Sequence, residues 1–168
     1  MIFFGCYLLL AGGYQLYLEY GQSQTYYPDF FTHLVSEQSE SLLSSFGYET
    51  GLAPHPTEAA MKLHFKGYTI FKIVEGCNGI SVIILFVSFV FAFWAGFKKT
   101  LIFALTGSAI IYAMNVIRIA LLAIGFYNYY DYKDFMHGTL FPAIIYGTVF
   151  ILWIIWVKIA TKKPVKNE

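Results

Sequence analysis

Three side chains in this 168-residue sequence combine a nucleophile, an acid/base and a fixed positive charge: Cys77, His137 and Arg118. They stand in the strings Glu75-Gly-Cys77-Asn78-Gly79, Asn115-Val-Ile-Arg118 and His137-Gly-Thr. Together they suffice for acyl transfer. A thiolate attacks a carbonyl, and a nearby cation favours the thiolate over the thiol. His137 can be that cation, and it can also protonate a leaving amine. Arg118 stays charged and can hold a tetrahedral oxyanion or the substrate carbonyl. Each residue has a blander role when taken alone. A lone membrane cysteine commonly just packs, as expected of Cys6, and lone loop histidines are commonly inert, as expected of His33, His55 and His64. An arginine near the end of a span can snorkel to lipid headgroups. Asn115, three positions earlier on the same helical face, argues instead for a lined pocket.

Other chemistries fit less well. Thiol–disulfide exchange needs cysteine pairs, and the two cysteines form no Cys-x-x-Cys motif. No two histidines or carboxylates stand at i, i+3 or i+4 within an apolar run, so neither a metal nor a cofactor is expected. A Gly-x-Ser-x-Gly serine site is absent. With a net charge of +1 and no basic run among aromatics, no nucleic-acid partner is expected either.

The elements that must position these residues are membrane spans. Hydrophobic residues make up 58% of the chain and aromatics 20%, against 12% charged, about half the usual charged share of a soluble domain. Four apolar stretches follow: residues 2–18, 79–97, 100–127 and 138–157. The second and fourth, and the uncharged part 100–117 of the third, are each about the 20 residues a helix needs to cross ~30 Å of hydrocarbon, and the third continues past Arg118 to Tyr127. The first is shorter, with a signal peptide as its competing reading, but no basic residue precedes it and no small-x-small cleavage site is clear. The expected architecture is one all-α polytopic membrane domain with about four transmembrane helices and an outer segment, 19–77. Lys98 and Lys99 fall between the second and third spans, and Lys158, Lys162, Lys163 and Lys166 follow the last. By the positive-inside rule both ends and the lysine turn are cytoplasmic, and residues 19–77 and 128–137 face out.

Within the outer segment, Asp29 can cap a helix bearing Phe30, Phe31, Leu34, Val35, Leu42 and Phe46 on one side and Glu37, Ser39, Glu40 and Ser44 on the other. It would either lie on the membrane surface or pack on the rest of the protein. Gly47 ends it, and GLAPHP reads as a loop. Met61, Leu63 and Phe65 alternate with Lys62, His64 and Lys66, and YTIFKIVE follows Gly67, which predicts a two-stranded hairpin leading to Glu75.

Helical rise then relates the three residues. Cys77 stands 20 residues before Phe97, Arg118 18 residues after Thr100 and His137 21 residues before Lys158, which is about 27–32 Å in each case. Three connected spans therefore bring thiol, guanidinium and imidazole to one depth, at the outer interface. Ser81 and Ser88 fall on the helical face of Cys77, and Gly76 and Gly79 permit close approach of another chain.

The three strings, in this order and spacing, resemble the signature stretches of the exosortase/archaeosortase family. The likeness is specific over roughly residues 60–150, and the small F-type exosortases are closest in size. It implies a cysteine transpeptidase-like protease that cleaves the C-terminal sorting signals of exported proteins: a short motif, a membrane helix and a basic tail. Residue by residue, it implies Cys77 as nucleophile, Arg118 as transition-state stabiliser and His137 as acid/base. Glu75, Asn78, Gly79 and Asn115 fall within the same stretches and are expected to support the site and position substrate. The setting implied is a bacterial inner membrane, with membrane lipids and exported proteins as partners. The chain departs from the many members that have about eight spans, which bears on substrate recognition more than on catalysis. The rival reading is a non-catalytic membrane scaffold or substrate-binding subunit of an envelope complex, with Arg118 merely on lipid phosphates.

Overall fold

A computed structural model describes residues 2–20 and 27–161; Lys162, Lys163 and Lys166 lie outside the described residues. The chain is mostly helical. In order it forms α1 (Ile2–Tyr20), α2 (Phe30–Ser45), β1 (Thr50–Pro54), β2 (Ala60–Phe65), β3 (Tyr68–Val74), a 3-10 turn (Glu75–Cys77), α3 (Ile80–Ala92) and α4 (Phe97–Asn128). A 3-10 turn (Tyr130–Tyr132), the one-turn α5 (Lys133–Phe135), a π turn (Met136–Leu140) and α6 (Phe141–Ala160) complete it.

Among the described residues, two helical runs are long and apolar enough to cross a membrane, Phe97–Asn128 and Tyr130–Ala160. Where α3, α4 and α6 meet, Phe86, Val90, Ile111, Val149 and Trp156 are buried together. Apolar burial drives little between helices in lipid, so close packing must hold them. Gly107 shows how: a Cβ there would lie 2.2 Å from Phe86 Cζ, so only glycine admits the ring. The Trp156 indole is satisfied by donating to Val90 O at 3.1 Å.

Helix α4 has 32 residues, about 48 Å, so roughly a third of it projects beyond a ~30 Å hydrocarbon layer. That projection supports a second core. Ile119, Ala120 and Ala123 of α4 are buried against Val35 and Leu43 of α2 and Leu63, Phe65 and Ile73 of the sheet. Here water is the alternative solvent, and each large side chain contributes about 1.5–3 kcal/mol by burial. Asp29 caps α2 as its sequence predicts, Oδ1 accepting from the N–H groups of Phe31 and Thr32 at 3.0 Å each.

Several expectations are corrected. The sheet has three antiparallel strands in the order β1-β2-β3, because Gly51–Pro54, read from its Gly and Pro as loop, pairs with Met61–His64. The buried face of α2 is Thr32, Val35, Ser36, Ser39 and Leu43, while Phe30 and Phe46 are exposed. Ser36 and Ser39 can face the core because their hydroxyls donate back to Thr32 O and Val35 O, at 2.6 and 2.7 Å. The helix therefore packs on the protein, the second of its two expected placements. The apolar run 79–97 is helical only over Ile80–Ala92; residues 93–96 turn the chain, with Gly96 at φ +93° and Ala95 N–H donating to Thr100 Oγ1 at 3.2 Å. Lys98 and Lys99 lie in the first turn of α4, not in the connection before it. The run 138–157 is part of a longer helical segment that begins at Tyr130.

Candidate active site

Val74 of β3 leads into the turn Glu75-Gly-Cys77, whose Asn78 N–H closes on Glu75 O at 3.2 Å. Cys77 is half-buried against the second core. The residue after it anchors the turn. Asn78 is fully buried, accepts from Ile80 N–H at 3.0 Å, and donates to Tyr14 Oη at 2.7 Å and to Thr32 Oγ1 at 3.1 Å. One amide thus ties the cysteine turn to α1, α2 and the start of α3. Tyr14 and Thr32 were missed by sequence reading, because nothing in their local pattern distinguishes them from packing residues.

Gly79 then adopts φ +82°, and a Cβ there would stand 3.1 Å from Asn115 Cγ. It is the close approach expected of this position, whereas Gly76 has open space around it. Gly79→Ala should cost about 1–3 kcal/mol of stability through its left-handed backbone alone and displace Asn115 as well. A thermal-unfolding midpoint in detergent checks this, with Gly76→Ala, expected close to wild type, as the control.

Asn115, buried on α4, bridges two of the expected site residues. Its Nδ2 donates to Cys77 O at 2.8 Å, and its Oδ1 accepts from Arg118 Nη1 at 3.3 Å. The depth of Cys77 is set by this contact rather than by helix length, since the turn at Gly79 separates it from the axis of α3. The helical-face argument from Cys77 fails for the same reason: Ser88 is buried, but Ser81 is exposed. Arg118 has no acidic partner among the described residues, and its buried Nε has no acceptor. A buried guanidinium donor without an acceptor is costly unless a ligand supplies one. Glu75 is exposed beside the turn.

His137 is not hydrogen-bonded to this cluster. It lies in the π turn, is exposed, and its imidazole makes no hydrogen bond with a described residue. Its neighbour Met136 packs with Leu122 and Phe141, one turn of α4 beyond Arg118. Hydrogen bonds and close contact therefore join Cys77, Asn78, Gly79, Asn115 and Arg118, and no such link to His137 is made among the described residues. The other histidines are engaged locally: His33 Nδ1 lies 3.1 Å from Tyr27 O, His55 Nδ1 accepts from Glu58 N–H at 3.1 Å, and His64 Nδ1 lies 3.1 Å from Thr69 Oγ1. A π turn is a common device for presenting a side chain at a functional site.

Fold and cluster together define a helical membrane protein in which Asn115 of α4 links the turn carrying a half-buried thiol to the Arg118 guanidinium. A family model described as transmembrane exosortase matches residues 3–160, nearly the whole chain, and the protein belongs to that family. Membership supports a membrane transpeptidase or protease of the exosortase type that acts, in general terms, on exported proteins with C-terminal sorting signals. No curated protein and no solved structure matches the chain.

Proposed function

We propose that this exosortase cleaves its substrates through a thioester on Cys77 and passes them to an amine, a hydroxyl or water. The observation that carries the reading is the Asn115 bridge, which holds the cysteine turn beside a guanidinium with no acceptor for Nε. The Cys77 thiolate adds to the scissile carbonyl, and the resulting oxyanion is held by Arg118. As the C–N bond breaks, His137 gives a proton to the departing amine, which leaves with the substrate's membrane helix. The acceptor then loses its proton to His137 as its oxygen or nitrogen displaces the thiolate. Asn78, Gly79 and Asn115 position the nucleophile, and Glu75 lines the approach. A scaffold would leave the unpaired Arg118 donor without a purpose.

The substrates are exported proteins ending in a short motif, a membrane helix and a basic tail, and the setting is the bacterial inner membrane. Four spans, with α1 and α3 completing the pair of long helical runs, place both chain ends in the cytoplasm and the site at the outer face. The test is co-reconstitution of the full chain with each exported protein of the source genome that carries such a tail. The expected result is loss of the tail's mass from at least one of them, and an intact tail on all of them in the presence of folded enzyme contradicts the reading.

Orientation has its own check. Single cysteines at 50–58 should react with a membrane-impermeant maleimide from outside, whereas those after Lys162 should react only once the membrane is opened. The reverse pattern removes the outer placement of the site.

A further inference from the structure

β3 is an edge strand: β2 pairs with one side, and no strand covers the other among the described residues. It is also the strand that runs directly into the Cys77 turn. Both ends are fixed against α4. Tyr68 lies 6.3 Å from Tyr127 and Phe71 meets Phe126 edge-on at 5.6 Å, while Cys77 O is held by Asn115 lower down. The strand and its unpaired edge thus descend beside α4, from its far end to the level of the candidate nucleophile.

The edge is shaped along its length. The β2–β3 register passes from Leu63↔Phe71 to His64↔Thr69, leaving Ile70 as a bulge. There, Tyr68, Thr69 and Ile70 face Phe126, Tyr127 and Tyr130 across a cavity of about 390 Å³. Below the bulge, Phe71–Val74 is regular strand. Lysine is a common guard of exposed edges, but Lys72 is drawn into an ion pair with Glu58. An edge with unpaired N–H and C=O groups takes up another extended chain readily.

We propose that the β3 edge is the docking surface for the extended sorting motif of the substrate, added as a strand parallel to β3 with one side chain in the Tyr68–Tyr130 cavity. This rests on the function proposed above and names how the same site takes its substrate. The direction follows from topology. The motif precedes the substrate's membrane helix, so it runs from outside toward the membrane, as β3 does. The reach follows from geometry: Ile70 to Val74 is four strand steps, about 13 Å at ~3.3 Å each, and the 3-10 turn to Cys77 adds about 6 Å at ~2 Å each, so the cavity takes a residue roughly five or six positions before the scissile bond.

The test uses the full chain with Cys6→Ala and Cys77→Ala, carrying Thr69→Cys or Lys72→Cys at exposed positions of β3. The probe is a tail-bearing protein that wild type cleaves, with a single cysteine walked through its motif. Neighbouring strands lie about 4.8 Å apart, within disulfide reach. Disulfides are expected at alternate probe positions, with the favoured position moving toward the scissile bond from Thr69→Cys to Lys72→Cys. None is expected from Ala53→Cys on β1, the opposite edge. A cleaved probe that gives no β3 disulfide overturns the proposal, and a shift in the opposite sense overturns parallel docking. Disulfides between two copies of the enzyme instead of with the probe assign the edge to self-association and also overturn it. If wild type cleaves no tail-bearing protein, the function itself fails, and this inference with it.

Discussion

Cys77→Ala should abolish substrate processing while leaving the protein folded and at its normal membrane level. Removing a catalytic nucleophile costs on the order of 10⁶ in rate in well-studied hydrolases, so the expected residue of activity is background. Cys77 is half-buried at the end of a turn whose hydrogen bonds are made by the backbone and by Asn78, and loss of the sulfur disturbs none of them. Folding and catalysis therefore separate cleanly at this residue. Cys77→Ser should retain little, since an alcohol is a far weaker nucleophile without strong activation. Replacing Cys6, which lines an apolar groove with Leu9, Leu10 and Val87, should change almost nothing. The readout is substrate tail removal per folded enzyme. Normal maturation with Cys77→Ala leaves no room for an enzyme acting through this thiol.

Arg118→Lys carries the second large effect. If the guanidinium only reached for headgroups, lysine would serve as well, because both side chains snorkel with a positive charge. The arrangement around Arg118 is more specific. Nη1 donates to Asn115 Oδ1 while Nε is buried without an acceptor, so one edge of the planar group is held and another donor is left without a partner. A lysine ammonium cannot reproduce that fork. Loss of one oxyanion donor typically lowers the rate about 10²–10³-fold, or roughly 2.7–4 kcal/mol. The lysine variant should be well expressed and process substrate at least about a hundredfold more slowly. A rate within a fewfold of wild type would falsify the oxyanion role and leave Arg118 as a lipid anchor.

What could be read from the sequence follows from range of interaction. The Asp29 cap and the Asn115–Arg118 pairing are local or one helical turn apart, and residue types announced them; at Gly79 the glycine announced a close approach but not its partner, Asn115, on another helix. The depth argument gave the shared level of Cys77 and Arg118, although by way of a helix that ends sooner than its apolar run suggested. Two features were illegible because they are made by distant chain segments. The Tyr14–Asn78–Thr32 junction joins residues 64 and 46 positions apart. The strand at Thr50–Pro54 exists because β2 offers it partners, against its own Gly and Pro content. His137 shows the limit of counting rise along a span: it stands in a π turn within a helical run that begins at Tyr130, where the regular α-helical rise does not apply.

The central claim is a thioester on Cys77, and intact-mass spectrometry of the enzyme during turnover tests it most directly. Enzyme quenched in acid with a tail-bearing substrate should gain the mass of the substrate's N-terminal part. Hydroxylamine should release that mass, and peptide mapping should place it on the peptide containing Cys77. An enzyme that removes the tail at full rate yet never carries substrate on Cys77, even when acceptor and water attack are slowed, contradicts the account.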